Sequence, residues 1–335
     1  MILSSQSDDS RQVDELAAGV QRGERRALAE ALNLLDDRRD SSRARSAELV
    51  HLLQGDTLAP GAHMIGMTGP PGVGKSSLGA CLITEWRRRG LTVGVLAVDP
   101  SSPLSGGALL GDRLRLHSNP DDRGVFFRSL SSRGHYGGLS AEVWPMCQVM
   151  ASAFDIVMIE TVGVGQREID ISRMCDTTCV IAQPGSGDSI QSLKAGILEV
   201  PHILVVNKAD MGAMATRTAS ELAGALTSEH PDGAWRVPVL STSATQGSGI
   251  SELVDCLEAH FQTLLQNKLL KHRRRGYQAY WIVNRLQEEF GAHGVERLGG
   301  EAAIVEQIQS EIPDLYRQYD ALRRQLADRS PTIKS

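Results

Sequence analysis

The sequence predicts an α/β fold: a domain with a mostly parallel central sheet, flanked by N-terminal helices and a C-terminal helical arm. Three observations predict it. Short apolar runs alternate with helical patterns through the middle of the chain. A glycine-rich phosphate loop directly follows the first of those runs. The polar motifs stand just past the ends of such runs, where open parallel sheets bind their ligands. Three segments follow: a helical extension over residues 1–60, a nucleotide-binding domain over 61–262 and a helical arm over 263–335.

The first ten residues are polar and read as loose chain. From Val13 to about Asp36 the residues Leu16, Val20, Ala27, Ala31 and Leu34 or Leu35 keep a helical spacing. A second helix fits residues 42 to 54, with Leu49, Val50 and Leu53 inward. Residues 55–61 contain Pro60 and two glycines and read as a turn. Strands are expected at 63–67, 92–98, 125–130, 155–160, 177–182, 203–207 and 237–241, with helical patterns between most of them. One long helical pattern runs from Ile250 to about Phe290 and carries the basic run Lys268 to Arg275, which reads as a solvated face or a partner contact. Glycines 291, 294, 299 and 300 interrupt it, and a last helix is expected from about 301 to 326.

Bulk properties narrow the function classes. The chain has 335 residues, 41% hydrophobic and 22% charged, which is the balance of a globular protein. A net charge of −5 offers no basic field for nucleic acid. No apolar run reaches the about 18 residues of a membrane span, and the polar start is not that of a signal peptide. The five cysteines are few, odd in number and scattered, as suits a reducing cytoplasm. Cys175 and Cys179 lack a nearby second Cys or His pair, and read either as buried thiols or as half of a metal site.

Gly69-Pro70-Pro71-Gly72-Val73-Gly74-Lys75-Ser76-Ser77 has the phosphate-loop spacing G-x-x-x-x-G-K-[ST]. Glycines let successive backbone N–H groups turn toward a polyphosphate. The helix that begins there adds the positive end of its dipole. Lys75 is placed to reach the β- and γ-phosphates, and the Ser76 hydroxyl to ligate Mg²⁺.

The base is legible farther on. Asn207-Lys208-Ala209-Asp210 follows an apolar run. The Asp210 carboxylate can accept from both N1–H and the 2-amino group of guanine. Adenine has no such donor pair and would leave the carboxylate unpaired. The stem of Lys208 would lie along the base, Asn207 would brace neighbouring loops, and Ser243-Ala244 can offer backbone N–H to guanine O6. The expected nucleotides are GTP and GDP.

Phosphoryl transfer needs oxygen ligands for Mg²⁺ and a sensor of the γ-phosphate. Asp99 and Glu160 end apolar runs, and Asp112 stands in the glycine-bearing stretch "SGGALLGDRLRL". Gly163 in "ETVGVGQRE" can give its N–H to the γ-phosphate, so that its loop moves on hydrolysis. Asp112 also reads as a surface acid. Arg115 reads as a charge supplied to the transition state or as a surface ion pair. Gln166 is a candidate for orienting the attacking water. Asp188, Gln191 and Lys194 read as a second switch or partner contact, with helix capping by Asp188 as the alternative.

Taken in order, "GPPGVGKSS", "AVDPSSPLSGGALLGDRLR", "ETVGVGQRE", "GDSIQSLKAGILE" and "NKAD" resemble the MeaB/ArgK family of P-loop GTPases, over roughly residues 12–290. The resemblance implies a homodimeric GTPase chaperone that gates adenosylcobalamin loading and protects a cobalamin-dependent acyl-CoA mutase. It implies Mg²⁺ and switch roles for Asp99, Asp112 and Glu160, and a candidate catalytic role for Arg115. It also implies a mutase-facing switch over 183–194 and dimer contacts by the C-terminal arm. A cobalamin adenosyltransferase is a further implied partner. The chain departs from the family at Arg167, at His135-Tyr136 and after Gly291. The client that the resemblance implies is methylmalonyl-CoA mutase or a related isobutyryl- or 2-hydroxyisobutyryl-CoA mutase. No Asp-x-His-x-x-Gly motif marks a cobalamin site in the chain itself. The alternative is a nickel-type metal-insertion GTPase, which calls for a His-rich tract; the nine histidines here are dispersed.

Overall fold

A computed structural model describes residues 2–37, 39–54, 61–99, 122–131, 142–161, 167–185, 200–226, 235–310 and 314–328. The helices in its first half are α1 (Ile2–Gln21), α2 (Arg25–Asp36), α3 (Asp40–Gln54), α4 (Lys75–Arg88), α5 (Val143–Ala151) and α6 (Arg167–Ser172). Those in the second half are α7 (Ala213–Ala225), α8 (Ile250–Gln266), α9 (Leu269–Arg297), α10 (Gly300–Ser310) and α11 (Leu315–Asp328). Two compact units divide the chain. One is Pro60–Ser140 with Phe154–Leu270; the other is Met1–Ala59, Ala141–Ala153 and Lys271–Ser335.

The first unit is built on seven strands: β1 (His63–Thr68), β2 (Val93–Asp99), β3 (Val125–Ser131), β4 (Ile156–Thr161), β5 (Thr177–Ala182), β6 (Ile203–Val206) and β7 (Val239–Ser241). Each lies within two residues of its expected bounds. The spatial order is β3-β2-β4-β1-β5-β6-β7, and all pairs are parallel. Every residue of β1, β4 and β5 is buried, as strands covered on both faces must be. On one face Leu78, Leu82 and Trp86 of α4 and Leu253, Val254 and Leu257 of α8 pack over Ile65, Met158, Ile181 and Val205. Each large apolar side chain so buried stabilises the fold by about 1.5–3 kcal/mol. On the β5–β6 side Ala215 and Leu222 of α7 meet Val180, Leu204 and Val206. Gly66 is where α6 comes closest: a Cβ there would stand 2.8 Å from Cys175 Sγ and from Ile171 Cγ1. The order of the sheet puts β1 at the middle, so the loop after it opens at the sheet's topological switch point.

The second unit is helical. The polar start that reads as loose chain belongs to α1, which begins at Ile2. The single helix expected from Val13 is two, because Gly23 takes φ +69° and Glu24 is extended. α2 then buries Ala27, Leu28, Ala31, Leu32, Leu34 and Leu35. α5 packs against α2 and α3, with Val143 to Met150 all buried. Trp144 meets Tyr277 edge-on at 5.7 Å between centroids, and Trp281 stands edge-on to Tyr316 and Tyr319. Tyr319 and Arg323 both donate to the Glu289 carboxylate. The long pattern from Ile250 is also two helices, with Lys268 at φ +58° between them, and α9 breaks again at Gly291. The helix expected from 301 to 326 divides into α10 and α11. In the basic run Lys271 and His272 are exposed while Arg274 is buried. No described helix is long and apolar enough to cross a membrane.

Candidate nucleotide-binding site

The phosphate loop leaves β1 at Gly69 and enters α4 at Lys75. Gly69 has φ +147°, and a Cβ there would stand 2.2 Å from the Ile181 carbonyl oxygen of β5. Gly74 has φ +92°, and its Cβ would stand 2.5 Å from Asn207 Nδ2. Both positions therefore need glycine for conformation and for space. Lys75 is buried, and its ammonium donates to Gly69 O at 2.8 Å and Pro70 O at 3.0 Å. The charge is thus held inside the loop by backbone carbonyls. Pro71, Gly72 and Ser77 are exposed around it, and Val73 is buried beneath.

Asn207, at the end of β6, ties the phosphate loop to the base loops. Its Nδ2 donates to Val73 O at 2.9 Å. Its Oδ1 accepts from Thr242 Oγ1 at 3.2 Å and from Ala244 N at 3.3 Å. Lys208 adopts φ +61° and donates to Gly72 O at 2.7 Å and to Gln183 Oε1 at 2.5 Å. Asp210 Oδ1 accepts from Ser243 Oγ at 2.5 Å and Thr245 Oγ1 at 3.3 Å. The Ser243 hydroxyl, above the smaller contributions of Thr245 and Lys208, holds the Asp210 carboxyl below the usual carboxylate range. Asp210 is therefore an ionised acceptor at neutral pH, ready for a base edge that presents donors. Cys81 of α4 donates to Ala244 O at 3.4 Å, which anchors the same loop from the other side.

Ser76 Oγ donates to Glu160 Oε1 at 2.7 Å. Neighbouring ligands of an octahedral Mg²⁺ with about 2.0–2.1 Å bonds stand about 3 Å apart, so this hard-oxygen pair fits that ion in chemistry and in spacing. Among the described residues no cluster of three or more His, Cys, Asp or Glu is arranged around a metal. Thr161, next to Glu160, donates to Thr68 at 3.2 Å and couples the end of β4 to the base of the phosphate loop.

The structure thus brings together residues 69–77, Glu160, Asn207, Lys208, Asp210, Ser243 and Ala244 at the carboxyl ends of β1, β4, β6 and β7. Asp99 ends β2, but its side chain lies outside the described residues. Asp112, Arg115, Gly163, Gln166, Asp188, Gln191 and Lys194 lie outside them altogether. Sequence reasoning missed Cys81, Thr242 and Thr245, and placed Gln183 only in the 183–194 switch and not beside Lys208. Gln183 ends β5 as the other motif residues end their strands, which is the signal that could have found it.

A phosphate loop at the switch point of a parallel sheet, braced by an asparagine to the loop whose hydroxyls bond an ionised aspartate, defines a P-loop nucleotide-binding protein. Residues 28–297 match the family model "Methylmalonyl Co-A mutase-associated GTPase MeaB". A putative GTPase of Pyrococcus abyssi is 43% identical over 266 residues, covering 78% of this chain and 80% of its own. The mitochondrial methylmalonic aciduria type A homolog of Mus musculus is 33% identical over 303 residues, covering 85% and 72%. GTPase ArgK of Escherichia coli K12 is 34% identical over 285 residues, covering 82% and 83%. A solved LAO/AO transport system kinase superposes with a TM-score of 0.65 at 25% identity, covering 95% of this chain and 97% of that one. The chain belongs to the MeaB family and is a GTPase, converting GTP and water to GDP and phosphate.

Proposed function

We propose that this GTPase is a chaperone of a cobalamin-dependent acyl-CoA mutase: its nucleotide cycle gates adenosylcobalamin loading and protects the loaded enzyme. The observation that carries the reading is the match of residues 28–297 to a mutase-associated family. The relative named for methylmalonic aciduria points the same way. The client is methylmalonyl-CoA mutase or a related isobutyryl- or 2-hydroxyisobutyryl-CoA mutase. A cobalamin adenosyltransferase is a second partner, and the working form is a cytoplasmic homodimer.

In the reaction, water attacks the γ-phosphate in line with the departing GDP. The Lys75 ammonium exchanges its two loop carbonyls for phosphate oxygens and stabilises the charge that develops there. Ser76 and Glu160, with Asp99 and Asp112, would hold Mg²⁺. That ion neutralises β- and γ-phosphate charge when bound. Arg115 adds positive charge in cis, and Gln166 orients the water. Gly163 senses the γ-phosphate, and Asp188, Gln191 and Lys194 carry the nucleotide state to the mutase. Hydrolysis does work on the partner only through contacts that differ between the two nucleotide states.

GTP turnover by the purified chain, alone and with each candidate mutase, tests the reading. One mutase is expected to stimulate turnover and to co-elute in a nucleotide-dependent way, with both effects lost in Lys75→Ala. Turnover indifferent to every mutase, with no complex in GDP or a GTP analogue, would refute the chaperone role.

A further inference from the structure

Lys208 is a flexible side chain on a left-handed residue, and something must choose its direction. Its Nζ lies 2.7 Å from Gly72 O and 2.5 Å from Gln183 Oε1. The stem therefore runs from the base loop back to the phosphate loop, and its far end is gripped between that loop and the residue that follows β5. Gly72 O is a backbone acceptor that any residue at that position supplies. Gln183 Oε1 is a side-chain acceptor that this sequence supplies. Gln183 is itself half-buried and stands at the exit of β5.

We infer that Gln183 is a positioning residue for nucleotide recognition: it holds the Lys208 ammonium over the phosphate loop, so that the lysine stem already forms one wall of the base slot before GTP or GDP arrives. The inference rests on the reading of residues 207–210 and 243–244 as the guanine site. Holding a four-carbon stem in place removes its rotamer freedom ahead of binding, so the nucleotide does not have to. Gln183 acts through Lys208 and touches no reacting atom. Its loss acts on nucleotide retention and leaves the chemical step alone.

The acceptor can be removed or strengthened at nearly constant size. Gln183→Leu keeps the bulk and deletes the oxygen; Gln183→Glu replaces a neutral acceptor by a carboxylate facing an ammonium. The experiment is the release rate of a ribose-labelled fluorescent GDP from the full chain, for the parent, both variants and Asp210→Asn, with thermal melts in parallel. Gln183→Leu is expected to release GDP about five- to tenfold faster, the size of one ordinary hydrogen bond. Gln183→Glu is expected to release it no faster than the parent. At saturating GTP, kcat of Gln183→Leu stays at the parent value while KM rises with the release rate. Equal release from Gln183→Leu and the parent would overturn the inference. So would equally fast release from the Leu and Glu variants, which marks a packing role alone. If Asp210→Asn also leaves GDP release unchanged, the guanine-site reading has failed and the inference falls with it; if only Asp210→Asn speeds release, the site stands and Gln183 has no part in it.

Discussion

Asp210 shows how one side chain is tuned for one base. Two hydroxyls, from Ser243 and Thr245, donate to the same carboxylate oxygen, Oδ1. They help to keep the group ionised, and so an acceptor. Guanine answers an acceptor at its 2-position with an amino group; xanthine carries a carbonyl there and does not. Asp210→Asn turns part of that edge into a donor. The variant is expected to lose at least about tenfold in affinity for GDP and to gain affinity for XDP, read by calorimetric titration of both diphosphates. Unchanged preference for GDP would remove Asp210 from the base site.

At the scale of elements, the site is an agreement between loops that follow different strands. Asn207 is buried and serves two of them at once, donating to the phosphate loop and accepting from the loop after β7. Asn207→Ala strands Val73 O and Ala244 N together. It is expected to cost about 2–4 kcal/mol in urea denaturation, the sum of buried groups left unpaired, and to loosen phosphate and base contacts together. A variant with parental stability and parental GDP retention would contradict that coupling. The strands around these loops were legible because runs such as Ile203 to Val206 have no polar face to hide, and each ends where a motif begins. Helix breaks were less legible. Lys268 takes a left-handed conformation with no glycine to announce it, and apolar spacing continues across it. Contacts such as Cys81 with Ala244 or Gln183 with Lys208 join residues far apart in the chain, and no local pattern encodes them. The motifs themselves were legible because phosphate and guanine chemistry fix both residue type and spacing.

The whole molecule carries an acid limit in each of its two units. In the sheet unit, donation from Arg88 and then Arg89 brings Glu85 from its ordinary 4.5 to about 2. In the helical unit burial pushes Glu289 up, but Tyr319 and Arg323 outweigh it and leave it lowered. A carboxyl depressed in the folded state stabilises fully above its unfolded value and less as pH falls through the folded one. The stability each contributes is therefore intact at neutral pH and fades below about 4.5, for Glu85 down to about 2. Glu85→Gln and Glu289→Gln are each expected to flatten melting temperature against pH in that range, and the double variant to show the sum, since the two sites share no partner. A Glu289→Gln profile that overlies the parent would discount the helical-unit contribution. The same division has a consequence for how the protein is made. Helices α1 to α3 leave the ribosome before the sheet unit, but the unit they belong to also draws on the stretch that begins at Lys271. Roughly 210 residues of synthesis separate the two stretches, about 10–40 s at ordinary synthesis rates. For that interval α1 to α3 lack the helices made after Lys271, while α5, which packs against α2 and α3, and the sheet unit are being synthesised. The helical unit thus completes its set of helices only after the sheet unit, although α1 to α3 precede that unit in the sequence.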